Sequence, residues 1–287
     1  MEEPKNEVIY RIWKMANKQN RNCMILVVGG TGLGKSLACI KMALAIQPDW
    51  SLNNLVFRAK DFLHLINSKN LKHGDVIVWD ECGVEFDART FYSVFNRMVS
   101  YVLQTFRHRN LVVFFNTPHE SLVDVNLKRL FHYQFEACGI DYKKGISVFK
   151  CFEIEATHRT KTTQIYYKYP RGKGEDGGTY PITRIEISLP PQDIINAYEK
   201  KKIQFTEWLN KRAEEEVKEA ERSKEATKPK DIVGIAELVY KKAEKYTRQR
   251  GSREFIDARM IANDFNVGLS TAQRIKLLVE QRLDNVS

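Results

Sequence analysis

The residues Gly29-Gly30-Thr31-Gly32-Leu33-Gly34-Lys35-Ser36 match the pattern GxxxxGK[ST] at every fixed position. That spacing suits one chemistry, the gripping of a chain of phosphates. Glycines tolerate positive φ and carry no Cβ, so the backbone N–H groups of such a loop can turn inward onto an anion. An apolar-rich segment running from Lys35 and Leu37 onward reads as a helix, whose N-terminus adds the positive end of its dipole. Lys35 is placed to reach the β- and γ-phosphates and the Ser36 hydroxyl to ligate Mg²⁺. The expected ligands are ATP and Mg²⁺, with residues 29–37 as the binding loop.

A second constellation follows. Val76-Ile77-Val78-Trp79 is an apolar run that ends in Asp80-Glu81. An acidic residue at the end of a buried strand is the Walker B arrangement, with Asp80 holding the metal directly or through water. Glu81 is then the natural base to orient and deprotonate an attacking water. A third polar residue, Asn116, ends the next apolar run in Phe115-Asn116-Thr117-Pro118. In an open parallel sheet the carboxyl ends of the strands line the ligand crevice. Asn116 could there sense the γ-phosphate and position water. The guanine-specificity pattern [NT]KxD is absent, which favours ATP over GTP, and no acceptor-binding signature points to a kinase.

The elements that must position these residues are legible. CMILVV at 23–28, LVFR at 55–58, DVIVW at 75–79 and LVVFFN at 111–116 are continuous apolar runs. Between them lie stretches with helical spacing: 7–19, the segment after Lys35, DFLHLIN, and 90–107 behind an N-cap at Thr90. Strands without alternation, separated by helices, argue for an α/β domain with a mainly parallel sheet flanked by helices. Residues 131–137, 146–154 and 163–169 alternate and extend or flank the sheet, and 172–178 reads as a loop. Residues 192–226 read as one long polar helix with almost no apolar face in its second half. The expected organisation is a P-loop NTPase domain over 1–190, a charged helical linker over 191–230, and a small all-α module over 231–287.

Composition narrows the class. The net charge of +10 and pI near 9.2 favour a polyanionic partner. Five cysteines without a CxxC pair argue against a disulfide framework or zinc site and for buried reduced thiols. The charged N-terminal stretch has no apolar region of signal-peptide type, and no apolar run is long enough to span a bilayer. The expectation is a cytoplasmic protein with no membrane partner.

The stretch from about 23 to 140 resembles the additional-strand P-loop ATPases, and among them the FtsK–HerA group of viral and plasmid DNA-pumping motors. GGTGLGKS, VIVWDE and TFRHRNLVVFFNTPHESLVD carry the resemblance. Members commonly end the third strand in Thr-Gln-Arg-Pro; here Asn116 stands where the glutamine would be. The resemblance implies a homo-oligomer, a hexameric ring that binds ATP between subunits and moves double-stranded DNA through its pore. It also implies an arginine finger from a neighbouring subunit. Arg107 and Arg109 are the favoured residues, with Arg97 and Arg129 behind them.

The last segment resembles a helix-turn-helix. Residues 235–249 read as a basic amphipathic helix, 257–265 as a second, Asn266-Val267-Gly268-Leu269 as a turn, and 270–283 as a third. Asn266 can take the left-handed conformation of the turn, Ser270 can cap the last helix, and Val267, Ala272 and Ile275 fill buried positions. Thr271, Gln273, Arg274 and Lys276 are left for a DNA major groove.

Two functions follow. One is a Mg²⁺-dependent, DNA-stimulated ATPase acting as a translocase or packaging motor on double-stranded DNA. The alternative is an ATP-switched, AAA+-like DNA-binding protein for replication loading or plasmid partition. A blander third is an ATPase whose terminal module binds protein.

Overall fold

The structure, a computed structural model, describes residues 3–68, 70–82, 109–123, 128–157, 164–226, 231–250 and 253–284. The expected helix over 90–107, and with it Arg97 and Arg107, lies outside the described residues.

The chain opens with α1 (Glu7–Asn17), capped where the Asn6 side chain accepts from the N–H groups of Val8 and Ile9. Val8, Ile9, Ile12, Trp13 and Ala16 form its buried face. Next come β1 (Cys23–Val28), α2 (Lys35–Ile46), β2 (Leu55–Val56), α3 (Ala59–Asn67), β3 (Val76–Trp79) and β4 (Val112–Thr117). All six residues of β1 and of β4 are buried, the signature of strands covered on both faces. The strand expected over 55–58 is confined to its first two residues.

Then follow β5 (Tyr133–Asp141), β6 (Ile146–Thr157), β7 (Gln164–Lys168), the short strands β8 (Arg171–Lys173) and β9 (Thr179–Pro181), and β10 (Arg184–Ser188). β8 and β9 pair with each other around the expected loop. The main sheet runs β2-β3-β4-β1-β5-β6. The first five strands are parallel, and β6 turns antiparallel to β5. β10 and β7 both pair antiparallel with β6, over residues 146–150 and 153–157.

Alternate residues of β1 feed opposite faces. Cys23, Ile25 and Val27 join α1 and α2 in one core, while Met24, Leu26 and Val28 join α3, Trp79, Phe115 and Phe131 in the other. The result is a mixed α/β layer structure with a mostly parallel central sheet flanked by helices, compatible with a P-loop NTPase-like fold. β4 stands between β1 and β3, so the strand leading into the glycine loop and the strand ending in Asp80 are not neighbours.

α4 (Gln192–Ala226) is one long helix, but its two halves differ. The contacts divide the protein after Leu209. Before that point Ile195, Tyr198 and Phe205 are buried, and Phe205 stacks on Phe57 with ring centroids 4.7 Å apart. Lys201 donates to the Leu52 carbonyl at 2.7 Å. The sequence assigned all of 191–230 to a linker; the structure instead packs 192–208 onto the first core, because its apolar residues recur on one face. Residues 213–219 are exposed.

The second unit contains α5 (Ile232–Lys241), α6 (Ala243–Tyr246), β11 (Thr247–Arg250), β12 (Arg253–Ile256), α7 (Ala258–Phe265) and α8 (Leu269–Asp284). The expected single helix over 235–249 breaks at Lys242, whose φ −123° and ψ 36° leave the helical region, and ends in a strand of the β11–β12 hairpin. The module is therefore not all-α. Val239, Tyr246, Ile256, Ile261, Ala272, Ile275 and Val279 close its core. Four cysteines are buried as expected, but Cys138 is exposed where β5 slips register between Ala137 and Gly139. Among the described residues no helix is long and apolar enough to cross a membrane.

Candidate phosphate and metal site

The glycine loop joins the end of β1 to the start of α2, and its shape explains its residue types. Gly34 sits in the left-handed region at φ 75° as the residue before the helix. A Cβ added there would lie 2.2 Å from the Ser147 Oγ. Gly29, at φ 143°, is similarly crowded: its Cβ would come within 2.8 Å of the Ala137 Cβ. Both positions demand glycine on conformation and on space. Thr31 and Gly30 are exposed, Leu33 and Leu37 partly buried, and Leu37 packs against the first core.

Lys35 arches back over the loop and donates to the Gly30 carbonyl at 2.8 Å. Burial lowers its pKa, an effect opposed by the nearby negative charges of Glu81 and Asp80.

The polar residues expected on three different segments meet at the carboxyl ends of β3 and β4. The Ser36 hydroxyl donates to Asp80 Oδ1 at 2.9 Å. Asn116 donates through its amide to the same carboxylate and to Ser36 Oγ, the latter at 3.2 Å. Asp80 is fully buried, and burial pushes its carboxyl above the usual range, against the Lys202 charge and a hydrogen bond from Tyr198. A buried carboxylate of this kind needs a countercharge. Asn116 is also buried, and its Oδ1 has no hydrogen-bond partner. An orphaned buried acceptor asks for a donor. It stands beside a serine hydroxyl and a carboxylate, hard oxygen ligands of the kind Mg²⁺ prefers. The residues present therefore fit that ion.

Glu81 lies just beyond, at φ 51°, a conformation uncommon for a residue with a side chain. Backbone bonds on either side hold it: the Asp80 N–H donates to the Val56 carbonyl and the Cys82 N–H to the Asn116 carbonyl, each at 2.9 Å. Strain of this sort is maintained at sites where direction matters. Its carboxylate pairs with Lys202 at 3.0 Å.

No protein-family model and no curated protein matches the sequence. Among solved structures, the N-terminal domain of zonular occludens toxin from Neisseria meningitidis is similar, at 18% identity and a TM-score of 0.31, over 51% of this chain and 94% of that one.

Arg109 is not brought to this site. It precedes β4, at the amino ends of the strands, and its guanidinium donates to the carbonyls of Ile66 and Ser68 at 2.9 and 2.7 Å. It caps the C-terminus of α3, a structural task that the basic run Arg107-His108-Arg109 does not disclose. Conversely, the sequence reading missed Tyr198 and Lys202, which reach Asp80 and Glu81 from α4.

In the second unit, Asn266 takes the left-handed conformation at φ 46° between α7 and α8. Ala272 and Ile275 are buried, and Val267 packs against them. Ser270 is not the cap, since α8 begins one residue earlier, at Leu269. Gln273 and Arg274 are exposed and Thr271 partly buried. Lys276 is partly committed: it pairs with Glu280 at 3.6 Å and lies 5.3 Å from the centroid of the Phe255 ring.

Proposed function

We propose that this protein is a Mg²⁺-dependent ATPase that works on double-stranded DNA as an oligomeric translocase. The observation that carries the ATPase reading is the meeting of Ser36, Asp80 and Asn116 beneath a loop whose positions 29 and 34 demand glycine. In this reading the loop N–H groups and Lys35 hold the β- and γ-phosphates. Ser36 and Asp80 hold the metal, which when bound neutralises charge on the phosphate oxygens. Asn116 orients a water, and Glu81 takes its proton as the water oxygen bonds to the γ-phosphorus and the bond to the bridging oxygen breaks. The position of β4, inserted between β1 and β3, supports the additional-strand class of ATPase.

The DNA half of the proposal rests on the second unit. A helix, a left-handed Asn turn and a second helix that exposes Gln273 and Arg274 support a helix-turn-helix docked in a major groove. The net charge of +10 favours the same partner. A ring, hexameric by resemblance, would call for an arginine finger from the neighbouring subunit, with Arg107 and Arg109 the favoured residues.

Phosphate release by the full chain, with and without duplex DNA, tests the coupling against a chain lacking 231–287. The proposal expects DNA to accelerate the full chain and to lose much of that effect on the truncated one. Equal rates in all four conditions would leave an ATPase without a DNA role.

A further inference from the structure

One face of α4 reaches both carboxylates of Asp80-Glu81. The Tyr198 hydroxyl donates to Asp80 Oδ2 at 2.8 Å, and one helical turn later Lys202 Nζ pairs with Glu81 Oε1 at 3.0 Å. Residues four apart lie on the same helix face, so a single rigid element delivers both groups. Tyr198 is buried and anchored, and the Lys202 ammonium lies 5.7 Å from its ring centroid. Phe205, stacked on Phe57, fixes the next turn of the same face.

Lys202 differs from its anchored neighbours. Its side chain is 37% exposed, so it retains freedom to change partner. The same acidic pair borders the glycine loop, since Asp80 accepts from Ser36, the neighbour of Lys35. Two ammonium groups from distant parts of the sequence therefore converge on the space beside the glycine loop, with Glu81 facing one of them.

Resting on the ATPase reading above, we propose that Lys202 is a second phosphate-binding lysine, supplied by the same chain, which leaves Glu81 for the γ-phosphate when ATP binds. The exchange serves both partners. While paired with Lys202 at 3.0 Å, the Glu81 carboxylate has an oxygen engaged by the ammonium and is not free to accept from a water there. A triphosphate offers the ammonium a denser negative charge than one half-exposed carboxylate. Its departure frees Glu81 for water and brings positive charge to where negative charge develops in phosphoryl transfer. A lysine suits the task because its ammonium is a point charge on a flexible stem. The device would link base activation to the presence of the third phosphate.

The test uses the full chain with Lys202→Ala and, as a reference, Lys35→Ala. Calorimetric titrations measure ATP and ADP affinity, phosphate release measures turnover, and a thermal melt checks that each variant folds. Lys202→Ala is expected to fold, to bind ADP as the wild type does, to bind ATP more weakly, and to lose kcat on the order of 100-fold. Turnover and ATP preference equal to the wild type would overturn the proposal, making Lys202 a surface ion pair. Faster turnover would overturn it too, since Lys202 would then only restrain Glu81. If the wild type neither binds nor hydrolyses ATP and matches Lys35→Ala, the ATPase reading itself fails and takes this proposal with it.

Discussion

The phosphate site buries its polar chemistry, whereas the second unit displays its own. Asp80 and Asn116 are inaccessible, and their partners are fixed within about a hydrogen bond's length. In the second unit the buried residues are apolar, and the charges sit outside on α8 and the β11–β12 hairpin, with Arg248, Gln273 and Arg274 exposed. The two regions should respond differently to change. A buried cluster of shared hydrogen bonds acts as a unit, so one substitution removes the whole effect. An exposed charged face contributes in increments and weakens with salt.

The largest expected effect sharpens the first half of that contrast. Glu81→Gln keeps the shape of the side chain and removes its basicity. Nucleotide binding should persist while turnover falls by about 10²–10⁴-fold, the usual contribution of a positioned base. Steady-state phosphate release measures it, and wild-type turnover would remove Glu81 from that role.

A smaller effect tests the second half. Arg274→Ala should weaken duplex DNA binding by about 1–3 kcal/mol if the guanidinium reads a base, with relaxed preference at one position. A loss that is even across sequences and shrinks as salt rises would mark a phosphate contact instead. Fluorescence anisotropy at low and moderate salt separates the two. No binding by the wild type even at low salt would break the comparison, leaving the second unit as a protein-docking module.

The same contrast explains what could be read from the sequence. The glycine loop, Asp80, Glu81 and Asn116 were legible because each follows an apolar strand, and strands in a parallel sheet end at a common edge. Tyr198 and Lys202 were not, because they lie in a stretch whose charge density masks its apolar face. Ile195, Tyr198 and Phe205 recur with helical spacing there and were the available signal. The β11–β12 hairpin was also missed. Its signal was the Gly-Ser dipeptide at 251–252, a residue pair with turn preference in sequence, between two runs that pair as strands. The basic character of 235–249 favoured a continuous helix, and only tertiary packing, with Tyr246 and Ile256 buried together, decides for the hairpin. The bonds of Arg109 to the Ile66 and Ser68 carbonyls were not legible either, because sequence shows that an arginine is near a strand but not which end of the sheet it occupies.

The central claim is that the loop over 29–36 grips a triphosphate, and an equilibrium titration of Mg²⁺-ATP into the wild type and Lys35→Ala tests it most directly. The account predicts saturable binding by the wild type and none by Lys35→Ala, because backbone N–H groups alone leave the triphosphate's charge uncompensated. Equal ATP affinity in the two proteins, or no binding in either, would contradict it.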